Sequence, residues 1–161
     1  MRDWKAGALV VVLLLWAGML FGVSFLATPA KFSAPSLTLP VAIDVGRLTF
    51  AVLNRVELGC AVLSLGLLAA GASREFVVRL ALGSAALGLL FETLWLLPAL
   101  EKRAQMVIDG GTPPASSLHD VYIGIDAAKL IALLLGAVVL LRPASSISAS
   151  RRARDRTGGG G

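Results

Sequence analysis

The chain has 161 residues, of which 57% are hydrophobic and only 16% are charged, and its formal net charge is +5. A soluble domain carries about 25% charged residues, so the composition argues against an ordinary soluble domain. The single cysteine, Cys60, excludes an intramolecular disulfide and a CxxC redox motif.

Four apolar runs follow one another at residues 6–26, 50–71, 76–97 and 121–141. Each has about 20 residues, the length that a helix needs to cross the hydrocarbon core of a bilayer. Four such helices pack into one bundle without a second domain. The sequence therefore predicts an all-α integral membrane four-helix bundle over residues 1–143.

The first run is longer than the 7 to 15 residues of a signal-peptide core, so we expect it to be retained as a span. The segment after it contains Pro29, Pro35 and Pro40. Its first part has the character of an irregular loop. Pro40 suits the first turn of a helix, which favours a second helix that begins near it.

The link "AAGASRE" between the second and third runs predicts a tight antiparallel hairpin, with Gly71 ending one helix and Ser73 capping the next. Beyond Pro98 the third helix can continue outside the membrane as far as Gly110 and Gly111. Ser117, with Asp120 three residues later, resembles a capping box for the fourth helix.

The tail, residues 144–161, consists mainly of Ser, Arg and Gly with no apolar period, and we predict that it is disordered. Its arginines could contact anionic lipid headgroups, or could act only as a topogenic and solubilising segment.

The distribution of basic residues predicts the orientation, because cytoplasmic segments carry an excess of Lys and Arg. With four spans, nine basic residues fall on the side of both termini and four on the other side. We therefore predict cytoplasmic termini. The nine are Arg2, Lys5, Arg74, Arg79, Arg142, Arg151, Arg152, Arg154 and Arg156; the four are Lys31, Arg47, Lys102 and Arg103.

Ionisable residues inside the apolar runs are the most informative feature. Three predicted helices bring such residues to one layer, about 7 to 12 Å below the outer boundary at 1.5 Å per residue. Charges that face lipid are costly, so we expect them to turn inward and pair. The candidate buried polar cluster consists of Asn54, Arg55, Glu57, Glu92, His119, Tyr122, Asp126 and Lys129.

The charges in this layer do not balance, because Arg55 and Lys129 face three carboxylates. One carboxylate then carries a proton, pairs with a bound cation, or is matched by a protonated His119. Such a cluster can lock helices together, carry protons or ions, or bind a polar ligand. Small residues on the same faces, such as Gly88, allow the helices to approach closely.

The chain lacks the residues that specific cofactor, metal or catalytic sites require. A single histidine excludes a bis-histidine haem, and His119 with a distant Cys60 does not supply a zinc site. The chain contains neither a glycine-rich phosphate loop nor a nucleophile elbow. We therefore predict no catalytic residue, cofactor or metal, and an enzyme is the least favoured class. Trp16 lies deep in the first run, where we expect it to pack between helices.

Four stretches carry a resemblance to a known group of proteins: "LLLWAGMLFGVSFLATPAKF", "VGRLTFAVLNRVE", "FETLWLLPAL" and "SSLHDVYIGIDAAKL". Over roughly residues 10–140 the chain resembles small four-helix bacterial membrane proteins of the domain-of-unknown-function type. The resemblance implies a bacterial inner-membrane location, and it transfers no catalytic residue.

Two functions remain open on these grounds. The first is a non-enzymatic membrane component whose polar layer supports a partner protein, a subunit or an oligomer. The alternative is a small transporter, or a polar-ligand binder coupled to an ion or proton, that uses the layer as its site. A transporter needs a water path to the layer, whereas a scaffold needs a dry and fully paired one. The expected partner is the lipid bilayer, not nucleic acid.

Overall fold

The computed structural model describes residues 4–142, and every long element in that part of the chain is a helix. The four helices are α1 (Trp4–Phe32), α2 (Leu39–Ala69), α3 (Phe76–Ile108) and α4 (Leu118–Leu141). All four are long and apolar enough to cross a membrane. The predicted tail at residues 144–161 lies outside the described residues.

The helices are longer than the apolar runs that predicted them. The second helix begins at Leu39, beside Pro40, and the third continues past Pro98 to Ile108, as expected. The prediction of an irregular loop directly after the first run is wrong, because Thr28–Phe32 is helical. Pro29 is tolerated there because it lies at the start of this helical piece, where a missing N–H costs little.

Wide π-helical turns interrupt α1 and α3 just before their prolines, at Phe21–Ala27 and Glu92–Leu96. In the first, the N–H of Thr28 donates to the carbonyl of Val23, and in the second the N–H of Leu97 donates to the carbonyl of Glu92. A proline ring clashes with the preceding helical turn and removes one of its hydrogen bonds. Widening that turn keeps the helix continuous through Pro29 and Pro98.

Two glycines with positive φ end α2 and α3. Gly71 has φ +89° and Gly110 has φ +83°, a conformation that side chains rarely adopt. In α2 the N–H groups of Gly71 and Ala72 donate to the carbonyls of Leu68 and Leu67, which is a Schellman motif. The hairpin between α2 and α3 therefore ends its first helix at Gly71, as predicted.

The N-terminal caps of α3 and α4 differ from the predicted ones. The hydroxyl of Ser73 accepts a hydrogen bond from the N–H of Glu75, and Glu75 itself occupies the N-cap position of α3. The expected capping box of α4 does not form, since the side chain of Ser117 makes no cap hydrogen bond. Ser116 instead accepts from the N–H of Leu118.

The helices form a closed ring in which α1 packs on α2, α2 on α3, α3 on α4 and α4 on α1. Lys5 donates to the carbonyl of Ala70 at 2.9 Å, which sets the start of α1 beside the α2–α3 turn; this is the turn end of the bundle. The opposite end, with the connections at residues 33–38 and 109–117, is the loop end. Large apolar side chains cover the outer surface, among them Val11, Leu15, Val62, Leu87 and Leu94.

Candidate functional site

Lys129 lies at the centre of a buried charged cluster inside the bundle. Its Nζ is 2.9 Å from Glu57 Oε1, 2.5 Å from Glu92 Oε2 and 2.9 Å from Asp126 Oδ1. The exposure of all four side chains is 1% or less. We call Glu57, Glu92, Asp126 and Lys129 the buried charged cluster; it joins α2, α3 and α4 in one buried layer.

The first helix supplies two further donors to this cluster. Trp16 Nε1 donates to Glu57 Oε1 at 2.8 Å, and Ser24 Oγ donates to Asp126 Oδ2 at 2.5 Å. Trp16 is buried, as expected, but neither residue was predicted to touch the cluster. A signal was available, because these two side chains are the only hydrogen-bonding ones in α1 between Lys5 and Thr28.

Helices α3 and α4 approach each other closely beside the Lys129 side chain. A Cβ built at Gly88 would lie 3.1 Å from Ile125 Cγ2 and 3.5 Å from Lys129 Cγ. The distance to Ile125 is tighter than ordinary van der Waals contact, whereas that to Lys129 is an ordinary contact, so glycine at this position allows the close approach of the two helices. Both wide turns also serve the cluster, since one contains Ser24 and the other begins at Glu92.

The cluster is buried but incompletely paired. Glu57 Oε2 and Glu92 Oε1 are buried without a hydrogen-bond partner. Asp126 Oδ1 approaches the ammonium group without hydrogen-bond geometry. Three ionised carboxylates around one ammonium would leave a net charge of −2 in a buried layer, which is a strongly unfavourable arrangement.

Arg55 does not correct this imbalance, and its predicted place in the cluster is wrong. Its side chain is exposed, as is that of His119, so neither is buried beside the carboxylates. Arg55 is two residues from Glu57, and positions two apart on a helix point to different sides. Burial of Glu57 against α1 and α4 therefore turns Arg55 outward.

Asn54 and Tyr122 are buried, but they lie beside the cluster and make other contacts. Asn54 Nδ2 donates to Thr93 Oγ1 at 2.8 Å, and the ring of Tyr122 meets Phe50 edge to face at 5.1 Å. The structure thus unites four of the eight predicted residues and distributes the others, Asn54, Arg55, His119 and Tyr122, along the wall of a neighbouring cavity.

That cavity has a volume of about 680 Å³ and lies toward the loop end, between α1, α2, α3 and the start of α4. Asn54, Thr93 and Tyr122 line this cavity, and each lies within four residues of a member of the cluster. Thr93 directly follows Glu92, and the other two precede Glu57 and Asp126 by about one helical turn. The cavity and the cluster are therefore adjacent layers of one bundle.

Glu57, Glu92 and Asp126 each offer a carboxylate oxygen within 4.8 Å of the others, a spacing that could hold a metal ion. Hard cations prefer such oxygen ligands. The ammonium of Lys129 already contacts one oxygen of each carboxylate, so a metal would have to displace it. Binding and release of a proton is the chemistry that this arrangement supports without displacing Lys129.

Comparison of the chain with protein-family models, with curated proteins and with solved structures gave no match.

Proposed function

We propose that the chain is a non-enzymatic, multi-pass inner-membrane protein whose buried charged cluster binds and releases a proton, so that it acts as a proton-coupled carrier or binder of a ligand. The observation that supports this is the excess of carboxylates. Three of them meet one ammonium group, and two of their oxygens lack any donor.

A bound proton would account both for the excess of carboxylates and for the carboxylate oxygens that lack a donor. It lowers the net negative charge of the buried layer, and it converts one of the unpartnered acceptors, Glu57 Oε2 or Glu92 Oε1, into a hydroxyl. The groups that face it are Lys129 and Asp126 from α4, Trp16 and Ser24 from α1, and Tyr122 one turn from Asp126. Two protons would bring the cluster to neutrality.

The proposed orientation keeps both termini in the cytoplasm. Lys5, Arg74, Arg79 and Arg142 all lie near the turn end of the bundle. The loop end carries Lys31, Arg47, Lys102 and Arg103, so the excess lies in the whole sequence, where Arg2 and four tail arginines raise the count to nine against four. This excess supports a cytoplasmic turn end, and the cavity then faces the outer side. Reporter fusions at residues 72 and 112 test it: we expect a cytoplasmic signal at 72 and a periplasmic one at 112, and the reverse pattern would reject the orientation.

A structural lock is the second candidate, and it is favoured by a specific observation. All four helices contribute a side chain to the cluster through hydrogen bonds or ion pairs. A network of this kind can hold a bundle together without ever exchanging a proton.

Infrared spectroscopy of the purified protein separates the two functions. We expect a carbonyl band of a protonated carboxylic acid at neutral pH that fades as the pH rises, and that is lost or reduced in Glu92→Gln. Glu75→Gln is the matched control, because Glu75 is exposed at the turn end. A band that persists at every pH would favour the lock, and a spectrum without any band dependent on Glu92 would reject a bound proton.

A further inference from the structure

The cavity at the loop end combines apolar walls with an excess of positive charge. Its walls include Phe32, Ile43, Phe50, Leu97 and Val107. Four cations line the same space, whereas its lining contains one carboxylate, that of Glu101. The cations are Lys31, Arg47, Arg55 and Arg103. A concave, mostly apolar site with a few charged groups is the usual form of a small-molecule pocket.

Two of these cations are already engaged. Arg47 lies 2.6 Å from Asp44 and 2.6 Å from Glu101, and Arg103 donates to the carbonyl of Pro114. The positive charges of Arg47 and Arg103 are therefore partly balanced by other groups of the protein.

Lys31 and Arg55 differ from that pair. Within residues 4–142, neither forms an ion pair with a carboxylate; Lys31 Nζ lies 5.0 Å above the ring of Phe32. Lys31 is half-buried and Arg55 is exposed, and both line the cavity. A cation without an anionic partner at the edge of an apolar space is complementary to an acidic headgroup.

We propose that this cavity binds a single-tailed anionic amphiphile, with its acidic headgroup at Lys31 and its tail against the apolar walls of α2 and α3. Lys31 Nζ lies beside Gly46, and Arg55 lies nine residues further along α2, about 13 Å deeper in the bundle. A carboxylate or a phosphate headgroup would satisfy Lys31. This ligand site is separate from the buried charged cluster, and it does not depend on whether the cluster exchanges a proton.

The location of the site agrees with this ligand class. Thr28 and Lys31 contribute from the last turn of α1, and Pro98, Glu101 and Arg103 from the part of α3 beyond its wide turn. Charged and apolar residues thus meet at one level near the end of the bundle, where an amphiphile can keep its head in water and its tail in the apolar layer.

Binding of matched ligands to the purified full chain, in a neutral detergent, tests the proposal. The probes share one tail and differ in the headgroup: oleate, oleoyl lysophosphatidate, oleyl alcohol and oleylamine. We expect at least one of the two acids to bind and to raise the melting temperature, the alcohol to bind about tenfold more weakly, and the amine not to bind. Equal binding of all four probes would overturn the proposal, because the cavity would then accept any tail.

Variants locate the headgroup site. Lys31→Gln should reduce the affinity for the acid to that of the alcohol, whereas Arg79→Gln, an exposed arginine at the turn end, should leave it unchanged. Arg55→Gln should have a smaller effect than Lys31→Gln, because Arg55 lies deeper in the bundle. Ala51→Trp, which fills the cavity, should abolish binding of every probe. Unchanged affinity in Lys31→Gln, or an equal loss in Arg79→Gln, would overturn the assignment.

Discussion

Lys129 lies among carboxylates from three helices and Arg47 among carboxylates from two, and the two networks differ in exposure. Lys129 lies 2.5 to 2.9 Å from three carboxylates, with side-chain exposures of 1% or less. Arg47 lies 2.6 Å from Asp44 and from Glu101, and the exposures of these three side chains are 31%, 44% and 48%. The distances between charged atoms are thus similar in the two networks, whereas the exposure of the side chains to solvent differs.

This comparison teaches that distance alone does not give the energetic weight of an ion pair. An exposed pair is worth about 0 to 1 kcal/mol, because water screens both charges before and after the pair forms. Removing one partner of a buried pair costs about 3 to 5 kcal/mol, because the charge that remains is still desolvated. Variants of the two networks can sharpen or break the comparison.

The largest effect is expected for Lys129→Met. The variant leaves three buried carboxylates without any cation, since Arg55 points away. Uptake of protons by these carboxylates softens the loss, and we expect about 3 kcal/mol of destabilisation, measured by unfolding in detergent. Asp126→Asn should partly rescue the variant by removing one negative charge. A melting temperature equal to that of the wild type would show that the cluster does not need its cation.

A smaller loss is expected for Trp16→Phe, which removes the indole N–H donor to the buried charged cluster and leaves a smaller aromatic ring in its place. Glu57 Oε1 still contacts Lys129, so we expect about 1.5 kcal/mol, the range of a hydrogen bond to a charged group. Trp95→Phe is the matched control, because Trp95 is 52% exposed, and its effect should stay below about 0.5 kcal/mol. Equal effects of the two substitutions would mean that the indole bond to Glu57 contributes nothing.

The smallest effect is expected for Glu101→Gln in the exposed network. Arg47 keeps Asp44 as a partner, and we expect a change below about 1 kcal/mol that shrinks further in high salt. Unfolding at low and high ionic strength measures it. A loss as large as that of Lys129→Met would remove the distinction between the two networks.

The depth of the buried charged cluster could be predicted from the sequence, because helical rise fixes how far each residue lies along its helix. Counting along the predicted helices brought Glu57, Glu92, Asp126 and Lys129 to one level. Depth does not fix the direction in which a side chain points, and Arg55 was misplaced for that reason. Its spacing of two residues from Glu57 already contained the information.

The contribution of α1 was harder to foresee. This helix is apolar on nearly all sides, so its hydrophobic pattern does not indicate which face is buried. The wide turn at Phe21–Ala27 makes the buried face of α1 harder still to predict, since no periodic pattern in the sequence indicates this turn. Pro29 was taken as the start of a loop, whereas the helix continues through it because the turn before it widens.

The wide turn in α1 also has a consequence for length variation in this chain. Its hydrogen bonds reach back five residues where those of an α-helix reach back four, so the turn contains about one additional residue. One residue corresponds to about 100° of rotation on a helix. In a regular α-helix the loss of one residue would therefore rotate one site against the other, whereas deletion of the additional residue within Phe21–Ala27 would close the wide turn to an α-helical one and leave Trp16 at the cluster and Lys31 at the cavity. The rotation of one half of α1 relative to the other, as much as the identity of any side chain, decides whether this helix can contact both the buried charged cluster and the cavity.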